Sequence, residues 1–180
     1  MKAIWIFLAL ALPGLCLSGC GWHAGLLAPG GAQSIGVEVF ETDRTLLERN
    51  LEPIVSGAIT RAVSDLVQTP LAAPQRADIV VKGEILNYNR RSGARNSDNE
   101  LVETGIYVLI RASLWDRRNN KELVAPIARH GWSGYALGDG AILNESQTRL
   151  RVIDYVARTL VLDLFTGRIP VAEDASTDLD

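Results

Sequence analysis

Few residues in this chain have the type and spacing that covalent chemistry needs. His23 and His130 are the two histidines among 180 residues, and neither has a companion at metal-ligand spacing. Surface or strand-edge histidine is the ordinary reading of each. Ser133 and Ser146 have no His/Asp set that spacing alone assembles around them. Gly134, Gly138 and Gly140 follow a strand-like segment, but not as Gly-x-Gly-x-x-Gly. Residues 138–140 therefore read as a flexible loop before a helix, not a phosphate cradle. No catalytic activity, metal or cofactor is expected.

The chemistry that remains is anion recognition. Arg90, Arg91 and Arg95 fall in one polar segment, and Arg117, Arg118 and Lys121 in another. Arginine's planar fork makes bidentate contacts to phosphate. Solvated loop charge that keeps a protein soluble is the plain reading of the same residues. Trp115, Trp132 and Tyr135 are candidates for a contact surface, although core packing is the commoner role for such side chains.

Cys20 has a definite reaction written around it. Lys2 precedes an apolar run from Ala3 to Leu17, broken by Pro13 and Gly14 and closed by Leu17-Ser18-Gly19-Cys20. One cation, an apolar stretch and small residues before a cysteine form a secretory signal. The run is short of the roughly 20 residues that span a bilayer. Leu-Ser-Gly-Cys resembles the bacterial lipobox, whose cysteine is acylated and becomes the new N-terminus. That likeness implies several acyl chains on Cys20, palmitate among them, each buried methylene contributing about 0.8 kcal/mol. Gly21 in place of Asp resembles lipoproteins passed on to the outer membrane. The expected address is the periplasmic face of the outer membrane, lipid-anchored.

Without residues 1–19 the chain is still long enough for one domain with a real core. Cys16 leaves with the signal and Cys20 is modified, so no disulfide is expected and burial must hold the fold. The formal net charge is −3, with Glu173, Asp174, Asp178 and Asp180 in a tail that carries no base after Arg168. The rest of the domain is near neutral, which argues against nucleic acid as a partner. The acidic tail, residues 168–180, reads as a solvated, disordered terminus.

The elements that must position these residues follow from periodicity. Residues 20–33 are rich in Gly and Ala and form a lipidated linker; residues 34–167 form the domain. Residues 34–40 alternate, with Ile35, Val37 and Val39 pointing one way as a half-buried strand requires. Thr45 and Glu48 have capping-box spacing. The helix after them carries Leu47, Leu51, Ile54, Val55, Ala58, Ala62 and Leu66 on one stripe. Pro53 places the start of its main part near residues 50–53, with proline in the first turn.

Three strands follow the break at Pro70 and Pro74. Residues 77–90 turn Ile79, Val81 and Ile85 inward. Residues 101–116 turn Val102, Ile106, Val108, Ile110 and Leu114 one way, and Tyr107, Arg111 and Trp115 the other. Residues 121–132 contain Pro126, which demands an edge position or a bulge. Residues 90–99 read as a longer, mobile loop and residues 118–121 as a hairpin turn. In such a meander the two cation clusters lie at opposite ends of the sheet. Asn144 and Gln147 then cap a last helix bearing Leu150, Ile153, Ala157, Leu160, Val161 and Leu164, stopped by Gly167 and Pro170. The expected fold is α+β: a two-layer sandwich of two helices on a mainly antiparallel four-stranded sheet, in the order β-α-β-β-β-α.

Several of these segments together resemble the LPS-assembly lipoprotein family, LptE. Cys20-Gly21-Trp22-His23 is similar to the cysteine-glycine-aromatic-histidine start common in that family. Residues 35–40 match its first strand, with Thr42 where the family often carries asparagine. Ala77-Asp78 and Gly83-Glu84-Ile85 resemble its second strand. Residues 107–116, an Arg/Asn turn and Glu122-Leu123 resemble its third strand and hairpin. The likeness runs from Cys20 to about Phe165, while the long 125–141 stretch departs from it.

The resemblance implies an assembly role. Such proteins sit as a plug inside the lipopolysaccharide-inserting β-barrel LptD, support its folding and bind lipopolysaccharide. On that basis Arg90, Arg91, Arg95, Arg117, Arg118 and Lys121 become candidate lipopolysaccharide contacts. Two other classes fit a lipidated α+β domain: an auxiliary lipoprotein of an ABC-type lipid transport system, and an activator of a cell-wall enzyme.

Overall fold

Burial of one face of a meander by two helices organises the whole domain. The computed structural model describes residues 25–42, 46, 48, 50–137 and 144–167. Cys20, His23, Thr45, Leu47, Gly138, Gly140, Pro170 and the acidic tail lie outside the described residues. After a single 3-10 turn come β1 (Ile35–Val37), β2 (Glu41–Thr42), α1 (Leu51–Leu66), β3 (Ile79–Ser92), β4 (Glu103–Asp116), β5 (Lys121–Ala136) and α2 (Glu145–Thr166). The order is the expected one with β2 added, and the fold is α+β. The sheet runs β1-β3-β4-β5, with β2 also on β3.

The β3-β4-β5 meander is antiparallel, whereas β1 and β2 pair with β3 in parallel. Ile35 lies beside Ile79 and Glu41 beside Glu84, so β1 and β2 are two pieces of one interrupted edge strand. Parallel neighbours need a crossover, and α1 supplies it. Between the two pieces the chain leaves the ladder. Glu38 N–H donates to the Val81 carbonyl at 3.0 Å, and Phe40 N–H donates to Ser56 Oγ at 2.9 Å. That break corrects the alternation read from residues 34–40: Val39 is 70% exposed, and Phe40 enters the core with no exposure.

Helix α1 starts where Pro53 requires. Asn50 holds the N-cap position at φ 63°, and Pro53 occupies the first turn, where its missing N–H costs nothing. Glu48 accepts a hydrogen bond from Arg149 of α2 at 2.9 Å, while Thr45, its capping-box partner in the sequence, lies outside the described residues. Leu51, Val55, Ala58, Ile59, Ala62 and Val63 are buried, with Ile54 and Leu66 at the margin.

In β3 the inward row begins as expected with Ile79, Val81 and Ile85. An irregularity between Ile85 and Asn87 then makes Leu86 an extra residue and moves the inward row to Tyr88. Strand β3 continues to Ser92, so Arg90 and Arg91 are strand residues and not loop residues. Their polarity suggested a loop, but pairing with Ile106 and Gly105 of β4 decides otherwise. Strand β5 is both an edge and bulged: Ala112 faces Ile127, Leu114 faces Val124, and Pro126 sits in the extra length between them. It runs past Trp132 to Ala136.

Helix α2 opens with the expected reciprocal cap. Asn144 Oδ1 accepts from Gln147 N–H at 2.9 Å, and Gln147 Oε1 accepts from Asn144 N–H at 3.1 Å. Gly167 ends it at φ 65°. Leu150 is a correction, being 52% exposed. Over about six turns the buried stripe rotates about the helix axis, from Thr148 and Val152 to Val161 and Leu164. Leu150 is placed for the later stripe and so faces solvent in the first turns. Both helices lie on one face, and one hydrophobic cluster joins them to β3, β4 and β5.

Candidate functional site

The meander separates the two cation clusters as its topology demands. The register runs from Ile79 beside Asp116 to Ser92 beside Thr104. At about 3.3 Å per residue the two ends of the sheet stand roughly 40 Å apart.

The hairpin end is built around two aspartates. Asp116 accepts from Asn119 N–H at 3.0 Å and from Asn119 Nδ2 at 2.7 Å. These donors, the backbone N–H foremost, hold its carboxyl below the ordinary value of 3.8. Asn120 takes the positive φ of 49° that the tight turn needs. Asp78 binds Arg118 at 2.6 Å and also accepts from Gln33 N–H at 2.8 Å. The Arg117 and Lys121 side chains have no partner among the described residues.

At the opposite end Arg90 and Arg95 are already spent. Arg90 meets Glu145 at the start of α2, and this hydrogen-bonded carboxylate raises the guanidinium pKa further. The other oxygen of Glu145 accepts from the Tyr135 hydroxyl at 3.3 Å. Arg149 holds Glu48 beside Tyr88, whose hydroxyl is pushed up first by burial and then by the Glu48 charge. Arg95 donates to the Asn99 carbonyl at 2.6 Å, closing the loop on itself. Arg91 stands opposite Gly105 in register. Arg90 and Arg95 are therefore committed internally, whereas Arg117 and Lys121 present charge outward.

No described segment covers the sheet face away from the helices, and that face holds a cluster that spacing did not reveal. Tyr107 of β4 stacks on His130 of β5, with ring centroids 5.8 Å apart and planes at 25°. His130, by its sequence a surface or strand-edge histidine, lies well inside the edge strand β5. Trp132 faces Tyr107 in register and is 54% exposed. Its indole lies across Gly105 and Gly134, themselves direct partners: a Cβ on Gly105 would meet indole Nε1 at 2.4 Å, and one on Gly134 would meet Cη2 at 2.9 Å. The same position on Gly134 would meet Glu103 Oε1 at 2.5 Å, so a carboxylate borders the ring.

Further along this face, Lys82 lies 5.0 Å from the Trp115 ring centroid and 3.7 Å from Glu38, and Arg111 pairs with Glu84 at 2.6 Å. Of the three aromatic candidates, then, Tyr135 is core, Trp115 is half-buried and Trp132 is displayed. The signal that could have found the cluster is glycine inside a strand: Gly134, two residues after Trp132, and Gly105 mark a close approach where side chains would not fit. Among the described residues no group of three or more His, Cys, Asp or Glu could hold a metal ion, and no helix is long and apolar enough to cross a membrane.

No family model matches this chain, and no curated protein matches it. Solved structures do. A Xanthomonas campestris protein of the DUF330 family aligns with a TM-score of 0.50 at 12% identity, over 79% of this chain and 91% of that one. A Caulobacter crescentus CB15 protein assigned as a lipoprotein aligns with a TM-score of 0.50 at 15% identity, over 74% and 89%. A minor lipoprotein from Acinetobacter baumannii aligns with a TM-score of 0.49 at 17% identity, over 77% and 94%. At these identities the likeness is one of fold. The chain is similar in architecture to the Caulobacter lipoprotein and to the Xanthomonas DUF330 protein.

Proposed function

We propose that the protein is an outer-membrane lipoprotein that assists lipopolysaccharide assembly, seated as plug and folding partner in an LptD-like β-barrel. Acyl chains on Cys20 hold it to the membrane, and no other cofactor takes part. Its work is fitting and holding, without bonds made or broken. The observation that carries this reading is a sheet face that no described segment covers, where Lys82–Glu38 and Arg111–Glu84 neutralise each other. Such a surface suits a barrel lumen, whose inward residues are polar. The likeness of residues 35–40, 77–85 and 107–123 to the LptE family supports the same reading.

Lipopolysaccharide phosphate belongs, in this reading, at the hairpin end, where Arg117 and Lys121 are unspent. Replacing both by Ala is expected to lower lipopolysaccharide affinity about tenfold at low salt, near 1.4 kcal/mol. The difference shrinks as salt rises. The Arg90→Ala and Arg95→Ala changes are expected to cost less affinity, because those side chains are held by Glu145 and Asn99.

The deciding experiment is purification of the tagged full chain from detergent-solubilised outer membrane, with photo-crosslinkers at Asn119 and Ala94. A large β-barrel protein crosslinked at either position is the expected result. Recovery of inner-membrane or shuttle components would favour the transport-auxiliary class. Depletion that leaves surface lipopolysaccharide unchanged would remove the assembly role.

A further inference from the structure

The way the chain enters the domain decides which end of the sheet lies nearest Cys20. Leu26 bridges to Val67 at the C-terminal end of α1, and its N–H donates to the Leu66 carbonyl at 2.8 Å. Ala28 N–H donates to Thr69 Oγ1 at 3.3 Å, and Gln33 N–H donates to the Asp78 carboxylate at 2.8 Å. Asp78 also holds the β4–β5 hairpin: its carboxylate binds Arg118 at 2.6 Å, and its carbonyl accepts from Arg117 N–H at 2.9 Å. The entry segment therefore lies at the hairpin end. Gly25 stands five positions after Cys20, a reach of at most about 18 Å. The far end of the sheet, roughly 40 Å from the hairpin, is beyond that reach.

Apolar side chains are displayed where the chain enters. Leu27 is 69% exposed, and Leu71, which bridges to Ile35 at the start of β1, is 40% exposed. Arg76, Arg117 and Lys121 stand at the same end with no ion-pair partner among the described residues.

We infer that this end is a membrane-contact surface: Leu27 and Leu71 enter the headgroup region of a phospholipid bilayer, and the far end of the meander points away from it. The inference rests on acylation of Cys20 and not on the barrel reading. A tether this short holds the surface at high effective concentration against the bilayer, so a contact too weak to recruit a free protein is populated. Leucine at the boundary of headgroups and acyl chains adds buried apolar area to the anchor.

Reach chooses the end, and neither apolar exposure nor net charge does. Val102, Leu137 and Leu150 are also exposed, towards the other end. Glu122 follows Lys121 at the hairpin, and the chain after Gly167 carries Glu173 and Asp174. The contact is therefore expected on zwitterionic as well as anionic lipid. It brings Arg117 and Lys121 to the level of lipid phosphate, where the proposed lipopolysaccharide contact has to form.

The test is spin labelling of the processed, acylated chain. Cys16 leaves with the signal and Cys20 is blocked, so one introduced cysteine can be labelled at a time. Nitroxides are placed on Leu27→Cys, Leu71→Cys, Arg76→Cys, Asp98→Cys and Leu150→Cys in phosphatidylcholine vesicles, with and without phosphatidylglycerol. Depth is read from the label's accessibility to oxygen against a water-soluble nickel chelate. Labels at Leu27 and Leu71 are expected at headgroup level in both lipids, and labels at Asp98 and Leu150 in water. Replacing Leu27 and Leu71 together by Ser is expected to remove the protection of the Arg76→Cys label from the chelate, with the thermal midpoint retained. If that double variant fails to fold, the single-label depths decide alone. Labels at Leu27 and Leu71 as open to the chelate as the one at Asp98 would overturn the inference, as would an Asp98 or Leu150 label at headgroup level. Mass spectrometry of the same preparation separates the two readings. An unacylated Cys20 removes the anchor and this contact with it, whereas acylated protein with open labels removes the contact alone.

Discussion

Single atoms decide several positions in this fold, and Gly83 is the plainest. The Phe40 ring covers it so closely that an added Cβ would meet Phe40 Cε1 at 2.2 Å and the Arg111 carbonyl at 2.5 Å. Gly83→Ala is therefore expected to destabilise the domain by about 1–3 kcal/mol, as overpacking does, measured by urea denaturation. The hairpin aspartate makes a prediction of opposite character, one of pH. Asp116 has its carboxyl lowered by Asn119, so the ionised form is favoured in the fold. The stabilisation is present above the unfolded value near 3.8 and is lost as pH falls through the lower folded value. Protection of the Asn119 amide, corrected for intrinsic exchange, is expected to fall in that window. Asp116→Asn is expected to abolish the pH dependence.

At the scale of elements, ends and edges carry most of the specification. Asn144 and Gln147 satisfy each other's backbone N–H groups, and Asn144→Ala is expected to cost about 1 kcal/mol, read as a lower thermal midpoint. Strand β5 is protected by its own chemistry: Pro126 lacks an N–H and sits in a bulge, which blunts an exposed edge. Irregularities also decide which side chains face the core. The break after Val37 sends Phe40 inward and Val39 outward. The extra residue at Leu86 brings Tyr88, not Asn87, to the buried face. Register slips of one residue reverse every later side chain, so local polarity could not have placed Arg90 and Arg91.

At the scale of the molecule, both helices pack on one face of the sheet, and no described segment covers the other. Leu160 sits at the centre of the helix layer with no exposure, in the cluster that joins α1, α2, β3, β4 and β5. Leu160→Ala is expected to cost about 2–5 kcal/mol and to lower the denaturation midpoint without changing the transition's single step. The described side chains differ from end to end: Arg90 is paired with Glu145 at one, Arg117 and Lys121 face outward at the hairpin, and Trp132 is displayed on the open face.

Element types and order were legible in the residues alone, because 2.0 and 3.6 periodicities, Pro53, the Asn144–Gln147 box and Gly167 act within a few positions of themselves. So were the separation of the two cation groups and the edge nature of the Pro126 strand, which follow from connectivity. The likeness of residues 17–20 to a lipobox is likewise a local signal, carried by the sequence alone. What only the tertiary structure decided depends on partners distant in sequence. Arg90 is consumed by Glu145, 55 positions on. Glu48 is taken by Arg149, 101 positions on. Trp132 is held level by Gly105 across the β4–β5 pair. A side chain's freedom to bind is set by whether the fold has already brought it a partner, and that is a property of contacts that sequence spacing does not record.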